Sequence, residues 1–201
     1  MGDVMREAYK RNWITTRDGN CAVRIKDSNI IHMTPSGVRK TLICPEMICR
    51  VVLGEELNFQ SSMNLNVTGE WEMHYLILKD APTTIATVHL HPPNIVAAMY
   101  AGWDLKSMAL QFPEIYRYTK VGPNVPVLPA ISQALADETS RALGLKDGKV
   151  QYDVVGQGNH GVCSVGQNPW DAFEHIERLE HICQIVLNSG VRPSIINTMP
   201  V

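Results

Sequence analysis

The chain predicts an α/β fold: a layered α/β/α arrangement with a mixed, mainly antiparallel central sheet flanked by helices. Three observations carry this expectation. Two pairs of short strand-like runs, within residues 21–33 and 152–165, are separated by turn residues as in hairpins. Helical patterns flank them at residues 70–78, 132–143 and 168–188. The regular strand-helix alternation of a doubly wound sheet is missing. The 201 residues suffice for a single domain over 1–201, and no linker run, repeat or low-complexity tract divides them.

Taken in order, the first dozen residues read as the end of a helix marked by Val4, Ala8 and Tyr9. Residues 21–25 and 30–33 form a hairpin around the turn 26–29, and the run Thr34, Pro35, Ser36, Gly37 breaks the chain. Residues 48–52 make a short strand. After the polar stretch 61–66, residues 70–78 read as a helix with Thr68 as N-cap. Residues 84–91 form a strand that Pro92 and Pro93 stop, because proline cannot extend the ladder. A short helix at 94–101 precedes a proline-marked, strand-poor segment from 103 to 129. A stronger helix covers 132–143 and ends at Gly144. Strands at 152–155 and 162–165 enclose the loop 156–161. The last helix, 168–188, has Pro169 near its first turn and Gly190 just past its end. Its Trp170, Phe173, Ile176, Leu179, Ile182 spacing reads as a core-facing stripe, leaving Glu174, Glu177, Arg178 and Glu180 on a solvated or subunit-facing side. Met63, Met73, Met99 and Met108 read as core filling.

Hydrophobic residues make up 45% and charged residues 19%, enough for a sizeable core and unlike a disordered chain. A net charge of −2 gives no case for nucleic acid or an anionic membrane surface. No stretch approaches the ~20 apolar residues of a spanning helix. The first residues lack an apolar signal core, and Arg6 stands where a myristoylation motif needs Ser or Thr. The expected compartment is the cytoplasm. Cys21, Cys44, Cys49, Cys163 and Cys183 are odd in number and scattered, and read as reduced small hydrophobes.

Chemistry concentrates around His89 and His91. Residues i and i+2 leave a strand on one face, so two imidazoles project side by side at a strand end, close enough to chelate one metal ion. His160 lies in a Gly-Asn-His-Gly turn whose glycines leave the ring uncrowded. Glu70, at the first turn of its helix, is favoured there by the helix dipole. Three imidazoles and one carboxylate suit Zn2+, with Mn2+ or Co2+ as weaker alternatives. His74, four residues after Glu70, reads as packing or as a hydrogen bond near the metal. His32, His175 and His181 read as one strand and two helix-surface histidines.

The ordered set Gly19-Asn20, Thr34 to Gly37, Thr68-Gly69-Glu70 with His74, His89-x-His91-Pro, His160-Gly161 and the helix after Gly166 resembles the class II aldolase and adducin family. The resemblance runs from about residue 9 to 187 and is nearest in pattern to the family's L-fuculose-phosphate aldolases. It implies that His89, His91 and His160 are zinc ligands, one ion per chain. It further implies that Glu70 is both ligand and catalytic base, and that a substrate phosphate rests on Asn20, Ser36, Gly37, Thr68 and Gly69. The implied reaction is cleavage of a small ketose 1-phosphate to dihydroxyacetone phosphate and an aldehyde. The implied assembly is a homotetramer with the site at the subunit interface. Two departures stand out: Ala22 and Gly69 replace hydroxyl residues near the cradle, and Leu128 falls near the position of the family's acid tyrosine. Tyr116 and Tyr118 are the nearby substitutes for that proton donor.

Three other activities fit the same resemblance. A 4-epimerase uses the same cleavage, although family epimerases carry aspartate at the position of Glu70. A dehydratase needs a further acid, for which Glu114 is the nearby residue. A non-catalytic adducin-like scaffold would not need the histidines. The sequence leaves open which sugar phosphate is used and whether the tail 192–201 closes over a neighbouring site.

Overall fold

The computed structural model describes residues 1–54 and 58–192. Residues 193–201, with the expectation attached to the tail, lie outside the described residues. Seven strands form one sheet: β1 (Asn20–Arg24), β2 (Ile30–Met33), β3 (Cys49–Val52), β4 (Asn58–Gln60), β5 (Ala86–Leu90), β6 (Val154–Gln157) and β7 (Gly161–Gly166). Their order is β4-β3-β2-β1-β5-β7-β6, and every neighbouring pair is antiparallel. The parallel element expected of a mixed sheet is reduced to two isolated bridges, Val121 to Val154 and Val125 to Gln157.

Central β5 is buried along its whole length. A strand covered on both faces shows no inside-outside alternation, which is why Ala86, Thr87, Val88, His89 and Leu90 read as a continuous run. Val88 and Leu90 join Cys21, Val154 and Val162 in one core cluster with the helices α1 (Gly2–Lys10), α3 (Pro93–Tyr100) and α7 (Pro169–Asn188). On the opposite face α2 (Trp71–Asp80) and α6 (Gln133–Ala142) pack on Val155, Cys163 and Val165, and α2 also covers Ala22, Ile31 and Met33. Two short helices, α4 (Leu105–Ala109) and α5 (Pro113–Tyr118), fill the strand-poor segment.

Several side chains sit elsewhere than periodicity implies. In α1 the buried residues are Val4, Met5 and Ala8, while Tyr9 is exposed. Trp170 and Met63 are exposed as well. Helix α7 is capped by Asn168, whose side chain accepts from the Trp170 and Asp171 amides. Its Glu180 does not face solvent: it is 5% exposed and accepts from the backbone amides of Asn94 and Ile95 and from the Asn94 side chain. Helix α3 has proline at its start and no capping side chain of its own, so a carboxylate from another helix satisfies its first amides. Burial raises the Glu180 carboxyl above the usual carboxylate range, and the Asn94 and Ile95 hydrogen bonds oppose that rise. Glu180→Ala strands one buried and one half-buried N–H group, so it is expected to cost about 2–4 kcal/mol, or roughly 5–10 °C in Tm, with Glu180→Gln milder. Thermal unfolding of the three proteins checks this.

Candidate metal centre and anion cradle

Three strand ends meet at one edge of the sheet. Register pairs Asn20 at the start of β1 with His89 near the end of β5, and His89 in turn with Cys163 of β7, which begins one residue after His160. The sheet thus gathers residues far apart in sequence. His89 lies inside β5 and His91 just beyond it, and their Nε2 atoms are 2.8 Å apart. The candidate ligand nitrogens of His89, His91 and His160 all lie within 4.8 Å of one another. Gly161 permits this approach: a Cβ there would lie 2.5 Å from the Leu90 carbonyl oxygen and 2.7 Å from the His91 ring.

Glu70 stands at the N-cap of α2, one residue before the helix, where the sequence pattern placed it in the first turn. Its Oε2 is 3.1 Å from His89 Nε2 and its Oε1 is 3.9 Å from His160 Nε2. A hydrogen-bonded chain holds it. His74 is fully buried, its Nδ1 2.6 Å from Thr87 Oγ1 and its Nε2 2.5 Å from Asn20 Oδ1, and Asn20 Nδ2 donates to Glu70 Oε2 at 2.8 Å. Thr87 and the Asn20 amide, as aligned, make His74 the Nε2-protonated tautomer.

The donor set fits a divalent cation. His89 Nδ1 donates to the Val162 carbonyl at 2.9 Å, which leaves a bare lone pair on Nε2 aimed at a carboxylate oxygen. Acceptor facing acceptor is repulsive unless a cation lies between them. Glu70 Oε1 is also buried without a hydrogen-bond partner. Burial pushes the imidazoles of His74, His89 and His91 down to about 3, with neighbouring imidazoles adding to the depression, so all three favour the neutral form.

Beside these groups lies a cavity of about 240 Å³ lined by all five residues of the expected cradle, together with Glu70, His91 and His160. A bridge between Pro35 and Val67 ties the two halves of the cradle together. The cradle differs from a simple backbone nest. The Ser36 and Thr68 amides are engaged, by the carbonyls of Asn66 and Thr34, whereas those of Gly37 and Gly69 have no backbone partner among the described residues. Arg17, Asp18, Lys40, Ala130 and Ile131 also line the cavity, and no motif marks them in the sequence. Ile131 has a left-handed φ of 59°, rare for a β-branched residue, and lies over Gly69. A Cβ at position 69 would sit 2.9 Å from Ile131 Cδ1, which accounts for glycine in place of a hydroxyl residue.

Tyr116, Tyr118 and Glu114 are on α5 and do not line the cavity; nor does Leu128. Tyr118 instead packs under Arg117 and Arg178, beside a groove of about 430 Å³ that also contains His175. His175 is half-buried and bonded to Thr119 Oγ1, so it is not a plain surface histidine. Within one chain, proximity in sequence does not bring these residues to the cavity.

The sequence pattern of the Class II Aldolase and Adducin N-terminal domain matches residues 1–187. The chain is 26% identical over 182 residues to an L-fuculose phosphate aldolase of Methanococcus maripaludis, covering 90% of this chain and 91% of that protein. It is 26% identical over 189 residues to a methylthioribulose-1-phosphate dehydratase of Bradyrhizobium, covering 87% and 82% respectively. The fold superimposes on the crystal structure of an L-fuculose-1-phosphate aldolase from Thermus thermophilus with a TM-score of 0.77 at 22% identity, over 96% of this chain and 95% of the other. With a match across nearly its whole length and the same layered fold, the chain belongs to the class II aldolase and adducin family.

Proposed function

We propose that this protein is a zinc-dependent aldolase that cleaves a small ketose 1-phosphate, of the L-fuculose-phosphate type, to dihydroxyacetone phosphate and an aldehyde. The observation that carries the reading is the convergence of His89, His91, His160 and Glu70 beside a cavity with anion-binding character. Bound by these four residues, zinc supplies Lewis acidity toward adjacent substrate oxygens; manganese and cobalt are the lesser alternatives. Asn20, Ser36, Gly37, Thr68 and Gly69 fix the phosphate end and so orient the sugar toward Glu70. Breaking the C3–C4 bond requires a proton to leave the C4 hydroxyl and another to reach C3. Glu70, oriented by Asn20 and His74, moves the proton at C3. The cavity of one chain contains no tyrosine among the described residues, so the acid-base group for the C4 oxygen belongs to a neighbouring subunit in this reading. A homotetramer with the site at its subunit boundary supplies that neighbour. The exposed apolar side chains of Tyr100, Leu110 and Val127 are consistent with such contacts. A cytoplasmic location completes the proposal; no described helix is long and apolar enough to cross a membrane.

The second reading is dehydration of a related sugar phosphate on the same residues. The likeness to the Bradyrhizobium dehydratase, at the same identity as to the aldolase, favours it. The epimerase and scaffold readings draw no comparable support, since Glu70 is not aspartate and the histidine cluster is intact.

The deciding experiment offers a panel of ketose 1-phosphates to metal-loaded and chelator-stripped protein and measures dihydroxyacetone phosphate. Metal-dependent release from one member is the expected result. Metal-dependent loss of water without release replaces the aldolase with the dehydratase, and a protein that retains no metal returns the scaffold.

A further inference from the structure

Lys40 is 2% exposed, among the largest fully buried side chains of the protein. A lysine is almost never buried so completely without a partner. Here none is present: among the described residues no carboxylate lies within 4.0 Å of its ammonium. Its one hydrogen bond is from Nζ to the Pro35 carbonyl at 3.0 Å. An ammonium carries three donors, so two remain to be used. Burial lowers its pKa below the usual lysine range, with the charges of Asp18 and Glu70 opposing.

The acceptor Pro35 immediately precedes Ser36 and Gly37, and Lys40 lines the same cavity as Thr68, Gly69 and Glu70. The backbone part of that cradle is depleted, because the Ser36 and Thr68 amides already have partners. Two glycine amides and two hydroxyls carry no formal charge to balance a phosphate dianion, and the other cation lining the cavity, Arg17, is exposed to solvent. An unpaired cation and an under-supplied anion cradle share one cavity wall.

We propose that Lys40 is a phosphate-binding residue, its buried ammonium supplying the fixed positive charge for the phosphate group of the substrate. This rests on the reading of the substrate as a sugar phosphate. The competing role is a structural brace for the 34–37 turn, through the Pro35 carbonyl alone.

Titration calorimetry of inorganic phosphate into the metal-free full-length chain separates the two. Lys40→Gln keeps an amide donor and removes the charge, while Lys40→Arg keeps the charge. A charge-assisted hydrogen bond is worth about 1.5–3 kcal/mol, so the glutamine variant is expected to bind phosphate roughly 10- to 100-fold more weakly than wild type. The arginine variant should fall between them. Equal affinity of wild type and Lys40→Gln overturns the assignment and leaves the brace. No phosphate binding by wild type overturns the sugar-phosphate reading itself, and Lys40 with it. If the variants fail to fold, a crystal structure of the wild type soaked in phosphate decides. A phosphate oxygen within hydrogen-bond distance of Nζ supports the assignment, and phosphate bound elsewhere overturns it.

Discussion

Replacing His89 with alanine is expected to reduce activity by about 10³-fold or more and to leave the purified protein with little bound metal. Lewis-acid stabilisation is worth several kcal/mol at the transition state, and each 1.36 kcal/mol is tenfold in rate. Of the three imidazoles, His89 is the most constrained. It is fully buried, its Nδ1 is pinned to the Val162 carbonyl, and its Nε2 touches both His91 and Glu70. No solvent path lets another group take its place. Parallel measurement of metal content, by elemental analysis after dialysis, and of turnover on the substrate found in the panel checks the expectation. Circular dichroism shows whether the sheet survives. A folded variant that keeps stoichiometric metal and activity within tenfold of wild type would remove His89 from the centre.

Glu70→Gln is expected to lower turnover by about 10²- to 10⁴-fold, the usual worth of a positioned acid-base group, while retaining most of the metal. The amide keeps the shape of the side chain and can still accept the Asn20 hydrogen bond through its oxygen. Three imidazoles remain to hold the ion. What disappears is the carboxylate oxygen that would accept and return a proton. Turnover and metal content fall apart if Glu70 is chiefly a proton carrier, and fall together if it is chiefly a ligand. Unchanged turnover would deny it either role. The same experiment gauges the Thr87, His74, Asn20 chain, because His74→Leu breaks the chain without touching the carboxylate and should give a smaller loss.

Much of the architecture could be read from the residues because it is written in local signals. Pro92 and Pro93 mark the end of β5, Asn168 with Pro169 the start of α7, and the turn between Arg24 and Ile30 its hairpin. The grouping of His89 with His91 followed from the two-residue repeat of a strand. What was not legible depends on which element arrives opposite. β4 is only three residues long, too short for its alternation to stand out as a signal. Glu180 looks like one more charge on a helix until the N-terminus of α3 is set against it. Lys40 lies in an unremarkable stretch, and only closure of the 15–18 loop and the 34–37 turn around it removes it from water. Tyr116 and Tyr118 lie outside the cavity of their own chain, and a place in a neighbour's cavity depends on the assembly.

The contact between Ile131 and residue 69 has a consequence on the timescale of generations. A serine arising at 69 while isoleucine still occupies 131 puts its Cβ 2.9 Å from Cδ1 and 3.3 Å from Cγ1, so the isoleucine must give way. With a small residue already at 131 those contacts are gone. Touching residues of this kind couple by roughly 0.5–3 kcal/mol, and the 66% exposure of Ile131, which lets its terminal carbon swing aside, puts this pair toward the low end. Gaining a hydroxyl at 69 is therefore coupled to the occupant of 131, and the same substitution has a different cost on the two backgrounds.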